Sequence, residues 1–126
     1  MNAATRGRAA VHMFVAAALE AGFEAFIPLA EESPADLLLL RNGAYERVQI
    51  KRVFEHQGHR VINLKRRDGS RYKMSEIDTV AAVDVQKGLI WLIPFEKLWD
   101  KDAGQPKGRL RLTARWDMHI LLGEHP

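Results

Sequence analysis

From Ser33 to Val53 the chain reads SPADLLLLRNGAYERVQIKRV. Leu37 to Leu40 form a continuous apolar run of strand rather than helix length, and Asn42-Gly43 follows one residue later. A two-residue type I′ turn demands positive φ at both central positions, which Asn and Gly tolerate. DLLLL and YERVQIKRV are therefore expected to be antiparallel neighbours, with the leucine strand buried on both faces. With Asn42 and Gly43 as the loop residues, Leu40 faces Tyr45, Leu38 faces Arg47 and Asp36 faces Gln49. Directly opposed residues place their β-carbons roughly 5 Å apart, and the two-residue period puts Lys51 on the face of Gln49. Three polar groups thus converge at one end of an apolar hairpin, unless a bulge shifts the register.

The flanks place this hairpin in a larger fold. Upstream, Val11, Phe14, Val15, Ala18 and Leu19 recur at helical spacing, predicting a helix from about Thr5 to Ala21 that Gly22 closes with a left-handed cap. FEAFIPL reads as a short strand ended by Pro28. Downstream, HRVINLKRR is predicted as a strand after the turn EHQGH, and DGS closes it. A turn or short helical segment is expected around MSEID. TVAAVDV and LIWLIPF flank QKG as a second hairpin. KDAGQPKG reads as a loop, RLRLT as a short strand and ARWDMHILL as a terminal helix. The sum is an α/β (α+β) domain with one central sheet.

Bulk properties narrow the classes. A chain of 126 residues, 47% hydrophobic, suits a single domain over residues 1–126 with one core. The absence of cysteine excludes disulfides, thiolate zinc sites and cysteine nucleophiles. No apolar run reaches the roughly 18 residues of a membrane span, and the alanine-rich start, broken by His12 and Glu20, lacks the form of a signal peptide. A soluble, cytoplasmic protein with no membrane partner is expected. The net charge of +3 is mild, yet cations crowd into RVQIKRV, HRVINLKRRDGSRYK and KGRLRLTAR. That distribution fits a phosphate-binding surface as readily as solvated strand faces.

The hairpin cluster has its own chemistry. The Asp36 carboxylate, the Gln49 amide oxygen and the Ile50 carbonyl are hard oxygen donors, suited to Mg²⁺ with retained waters and a substrate phosphate. Lys51 beside them can hold or deprotonate an attacking water, or offset charge on the phosphorane. The competing account is a turn aspartate followed by a solvated sheet face.

The order Gly22-Phe23, Pro28, Asp36 with its leucines, Asn42-Gly43 and Arg47-Val48-Gln49-Ile50-Lys51, then Tyr72, Ile77-Asp78, Val80-Ala81 and Ile90 to Pro94, resembles the PD-(D/E)XK endonuclease superfamily. The resemblance runs from about Gly7 to Leu98, and is to the branch with Gln in place of the second acid, which includes group I intron homing endonucleases. It implies a restriction-endonuclease-like core, a central mixed but mostly antiparallel sheet flanked by helices. It further implies catalysis by Asp36, Gln49 and Lys51, with Mg²⁺ on Asp36, Gln49 and Ile50 and with Mn²⁺ able to substitute. The chain departs from the pattern in two places: Ala35 separates Pro34 from Asp36, and the usual helix acid has no clean counterpart. Alignment on Leu19 puts His12 in its place, a possible helix member of the site, and Glu20 lies too near Gly22 to serve.

The expected function is Mg²⁺-dependent hydrolysis of DNA phosphodiesters, homing-endonuclease-like or structure-specific. DNA contacts are expected from Arg47, Arg52, His59, Arg60, Lys65, Arg66, Arg67, Arg71 and Lys73. A short chain has little surface for a long target, so a homo-oligomer, dimer or tetramer, is expected. A Holliday junction resolvase of the same fold is the rival within the class, and a non-catalytic DNA-binding protein or subunit with a degenerate site the rival outside it. His56 and His59 read as exposed rings at a hairpin turn rather than a metal pair. Trp91, Trp99 and Trp116 read as core or interface, Glu31 and Glu32 as a solvated loop, and Asp78 as a residue fixing a turn.

Overall fold

A computed structural model describes residues 2–122. One helix, α1 (Ala3–Glu20), precedes the strands β1 (Glu24–Phe26), β2 (Leu37–Arg41), β3 (Ala44–Arg52), β4 (Phe54–His56), β5 (His59–Asn63), β6 (Thr79–Asp84), β7 (Leu89–Pro94), β8 (Trp99–Asp100), β9 (Gln105–Pro106), β10 (Arg109–Arg111) and β11 (Ile120–Leu122). The central sheet has six strands in the order β1-β2-β3-β6-β7-β11. Its neighbours are antiparallel except β3 and β6, which run parallel. A smaller sheet, β10-β5-β4, and the pair β8-β9 complete the strands.

Helix α1 begins two residues earlier than expected because Asn2 caps it, accepting the Thr5 N–H at 2.9 Å. At its other end Gly22, φ +87°, donates to Leu19 O, and Phe23 N–H reaches back to Ala18 O at 2.9 Å. These two bonds form a Schellman cap, for which the left-handed position favours glycine. Ala10, Phe14, Ala17 and Ala18 form the buried stripe, packed on Leu37, Leu39, Val48, Ile50, Ala81 and Val83. Truncating the fully buried Phe14 to Ala is worth about 3–5 kcal/mol.

The opposite face of the sheet carries Val80, Ala82, Trp91 and Ile93, which pack on Ile62, Leu64, Tyr72 and Trp116 from the small sheet and its connections. β6 is buried at all six residues, as a strand covered on both sides must be. β2 is not. Leu37 and Leu39 are buried against α1, whereas Leu38 and Leu40 are half-exposed, because the second layer does not extend over this part of the sheet. That corrects the expectation of a leucine strand covered on both faces.

The hairpin register is the expected one: Leu37 pairs with Val48, Leu38 with Arg47 and Leu40 with Tyr45, and Asn42 and Gly43 have φ of 54° and 78°. The β6-β7 hairpin also forms as expected. Two segments differ. HRVINLKRR contributes β5 to the small sheet, and ARWDMHILL is a 3₁₀ turn over Ala114–His119 followed by an edge strand on β7. Isoleucine and leucine at its end complete the apolar sheet better than one more turn of helix would. Among the described residues, no helix is long and apolar enough to cross a membrane.

Candidate active site

Asp36 stands immediately before β2, where the antiparallel ladder is running out. Its N–H donates to Val48 O at 2.8 Å, and its carboxylate accepts the Ile50 N–H through Oδ2 at 2.7 Å. The side chain thereby continues the ladder past the end of the strand, and Asp36 grips β3 on both sides of Gln49. Within a strand residue the N–H and C=O point the same way, so the Ile50 carbonyl also projects toward Asp36. The Gln49 amide lies over it, Nε2 at 3.5 Å from Ile50 O.

Strand alternation sends Gln49 and Lys51 to the face of their β6 partners Val80 and Ala82, away from α1. Lys51 reaches the edge of the second layer, where Nζ donates to Lys65 O at 3.1 Å and lies 5.1 Å from the centre of the Tyr72 ring. The turn after β5 makes this possible. A bridge from Lys65 to Arg71 and a 2.8 Å bond from Arg66 N–H to Ser70 O fold the chain back so that Tyr72 follows under Lys51. Arg66 lies 5.0 Å from the same ring and pairs with Glu76.

Burial raises the Asp36 pKa, against the opposing pull of the Ile50 N–H and the Lys51 charge. Burial likewise lowers that of Lys51, against the Asp36 charge. Tyr72 is pushed up to about 12, first by burial and then by Asp36, so it stays a neutral phenol beside the site. Tyr72 is the member that sequence reasoning missed. Its signal was its place in the family-like order, but only the turn between Lys65 and Arg71 brings it to Lys51.

His12 is not with this group. Ala10 points inward, and at about 100° per residue His12 lies some 200° further round, on the exposed outer face of α1. The helix packs on the other side of the sheet from Gln49 and Lys51, so a residue on its outer face is doubly displaced. Among the described residues no cluster of three or more His, Asp or Glu is arranged for a metal, and Asp36 is the carboxylate of the site. The donors still suit a small hard cation. The other Asp36 oxygen, the Ile50 carbonyl and the Gln49 amide are all oxygen ligands. Rotating the amide would set Gln49 Oε1 beside Ile50 O, an arrangement that a cation favours and that two like dipoles alone resist.

The cations expected to touch DNA divide into two sets. Arg47 donates to Asp78 through Nε at 3.0 Å and Nη2 at 2.8 Å, and also to Ser75 O. Asp78 further accepts the Arg47 N–H at 2.8 Å, and its pKa falls on account of Arg47. Arg47 is thus a clip between β3 and the start of β6, and Asp78 fixes the turn as expected. Arg66 is held by Glu76, and Arg71 by the carbonyls of Pro106 and Gly69, each at 3.3 Å. Arg52 donates to Arg6 O at 3.1 Å, and Arg60 lies 5.4 Å from the Trp91 ring centre, neither with an acidic partner among the described residues. His59, Lys65, Arg67 and Lys73 are exposed. His56 and His59 face each other across a Gln57-Gly58 turn with exposed rings.

The comparisons agree with this architecture. The family model described as PD-(D/E)XK endonuclease matches residues 1–113. The solved structure of a bacterial homing endonuclease is similar to this chain with a TM-score of 0.68 at 20% identity, covering 89% of this chain and 75% of that one. No curated protein matches the chain.

Proposed function

The chain belongs to the PD-(D/E)XK endonuclease family, and from that membership we propose that it is a Mg²⁺-dependent DNA endonuclease with Asp36, Gln49 and Lys51 as its catalytic residues. The observation that supports this is the double grip of Asp36 on β3, which sets its carboxylate against Ile50, whose carbonyl carries the Gln49 amide over it. Asp36, Gln49 and the Ile50 carbonyl would hold the cation, and Mn²⁺ would replace Mg²⁺. Bound there, a divalent cation supplies positive charge for the phosphate oxygens and acidifies the nucleophilic water.

The chain's own groups do the rest. The Ile50 N–H fixes the Asp36 carboxylate so that one oxygen is engaged and the other faces outward. The Lys65 carbonyl and the Tyr72 ring hold the Lys51 amine at the mouth of the site. There it donates to a phosphate oxygen as an ammonium, or takes a proton from the attacking water as an amine. Its lowered pKa brings the amine form closer to neutral pH than in a free lysine. Exposed His59, Lys65, Arg67 and Lys73 are the further cations assigned to phosphate contacts. The working form is a homo-oligomer, supported by the exposed apolar group Phe26, Ile27, Leu29 and Tyr45 at the β1 edge.

The second reading, a DNA-binding protein with a degenerate nuclease site, is favoured by the single carboxylate. Cleavage assays on linear duplex and on a four-way junction decide between the two and name the substrate. With Mg²⁺, the wild type should cut at least one of them, and Asp36→Ala and Lys51→Ala should each slow it by about 10²–10⁴-fold. Preference for the junction identifies a resolvase. Cleavage unchanged by both substitutions would remove this site from the mechanism, and salt-sensitive binding without cleavage would establish the binding protein.

A further inference from the structure

A second charged region lies at the end of β3, around Arg52, the residue that follows Lys51. A cleft of about 540 Å³ opens there between the first turns of α1, the β4-β5 hairpin and the β6-β7 turn. Arg6, Arg52, Arg60 and Lys87 line it, with Glu55 and Asp84. Of the carboxylates, Asp84 is buried and spends Oδ1 on the Lys87 N–H at 3.1 Å, holding the β6-β7 turn. None of the four cations is in an ion pair among the described residues, whose three ion pairs are Arg41–Glu46, Arg47–Asp78 and Arg66–Glu76. Arg41, Arg47 and Arg66 are thus each neutralised by a carboxylate, whereas the four cleft cations outnumber the two carboxylates that line the cleft with them.

Two of the cleft cations are also held in place. Arg52 donates to the Arg6 carbonyl at 3.1 Å, and Arg60 lies against the face of Trp91. Both keep most of their N–H donors, while Arg6 and Lys87 are exposed on the rim. Like charges brought together in one concavity repel, and an arriving anion relieves that repulsion. Guanidinium groups are matched to phosphate, with paired N–H donors for its oxygens.

We infer that this cleft binds the phosphodiester backbone of DNA, gripping the strand as it crosses the end of β3 while Lys51 and Asp36 act on a nearby phosphate. The inference rests on the nuclease reading above and adds Arg6 and Lys87, which lie outside the expected contact segments. Arg52 belongs to the cleft and follows Lys51 directly, so one strand end presents both the catalytic amine and the first backbone clamp.

The test is binding of labelled duplex to the full chain over a range of salt, with chelator present so that no cleavage intervenes. Arg6→Gln/Lys87→Gln removes two exposed cations without touching the core. Lys97→Gln/Lys101→Gln, also exposed and outside the cleft, makes the same change in net charge. Each lost phosphate contact should reduce the slope of log K against log salt by about 0.9, so the cleft variant should fall by roughly 2 and the control stay near wild type. Salt-sensitive wild-type binding with equal slopes in both variants overturns the cleft and leaves the nuclease reading standing. A wild type that binds no DNA overturns both. Inorganic phosphate supplies the other arm: saturable phosphate binding lost in the cleft variant, with duplex affinity unchanged, would make this a small-anion site and overturn the assignment to DNA.

Discussion

Lys51 carries opposing influences: burial withdraws water from its ammonium, and Asp36 supplies the charge that keeps the proton on. Titration of ¹³C-labelled lysine by NMR should place its pKa below the ordinary 10.5, and Asp36→Asn should lower it further by deleting the favourable charge. Tyr72 acts on the same proton, since its ring face stabilises the cation by about 0.5–2 kcal/mol. Tyr72→Phe should therefore leave the Lys51 titration in place, whereas Tyr72→Leu should move it down. Equal titrations in the two Tyr72 variants would show that the ring does not position the amine. Asp36 makes a stability prediction of opposite sign from that of a paired surface carboxylate. Its folded pKa is raised, so the folded state holds that proton more tightly than the unfolded chain. Its contribution is fully present below the unfolded value of 3.8 and is lost as pH rises through the folded pKa. Thermal melts of Asp36→Asn against wild type should accordingly favour the variant more at neutral pH than at pH values below 3.8.

The β2-β3 hairpin is the element that makes the site, and it was legible because its cause is local. Positive φ at Asn42 and Gly43 fixes a two-residue loop, the loop fixes the register, and the register sets Asp36 against β3 beside Gln49. Gly43→Ala, at φ 78°, should cost about 1–2 kcal/mol in denaturant unfolding, and a loss well under that range would mean the turn tolerates a side chain. What was not legible depends on contacts distant in sequence. The half-exposure of Leu38 and Leu40 depends on how far the second layer extends, and Tyr72 comes to Lys51 only through the turn after β5. Arg47 reads as one basic residue among many until Asp78, on the far side of the crossover, claims it. His12 stands seven residues before Leu19, but helix phase turns it away from the buried stripe and the sheet. The terminal ARWDMHILL has apolar residues for either a helix or an edge strand, and β7, needing a neighbour, selected the strand.

At the scale of the molecule, the Asp36–Lys51 group and the cationic cleft at Arg52 give the end of β3 a surface suited to a polyanion. The apolar edge at β1 lies across the sheet order from β7 and β11, and it is the surface assigned above to the proposed homo-oligomer. If the proposed homo-oligomer forms through this edge, wild type should sediment as an oligomer and Ile27→Asp/Leu29→Asp, which changes two exposed side chains, as a monomer, while the thermal melt stays cooperative. An unchanged sedimentation coefficient would place the interface elsewhere. The central claim, that Asp36, Gln49 and the Ile50 carbonyl form a divalent-metal site, is tested most directly by a crystal of the protein soaked in Mn²⁺ and measured for anomalous scattering. The account predicts a peak bonded to Asp36 and to the carbonyl oxygen of Ile50, absent from the Asp36→Ala variant. A Mn²⁺ peak bound elsewhere, or one that persists in that variant, would contradict it.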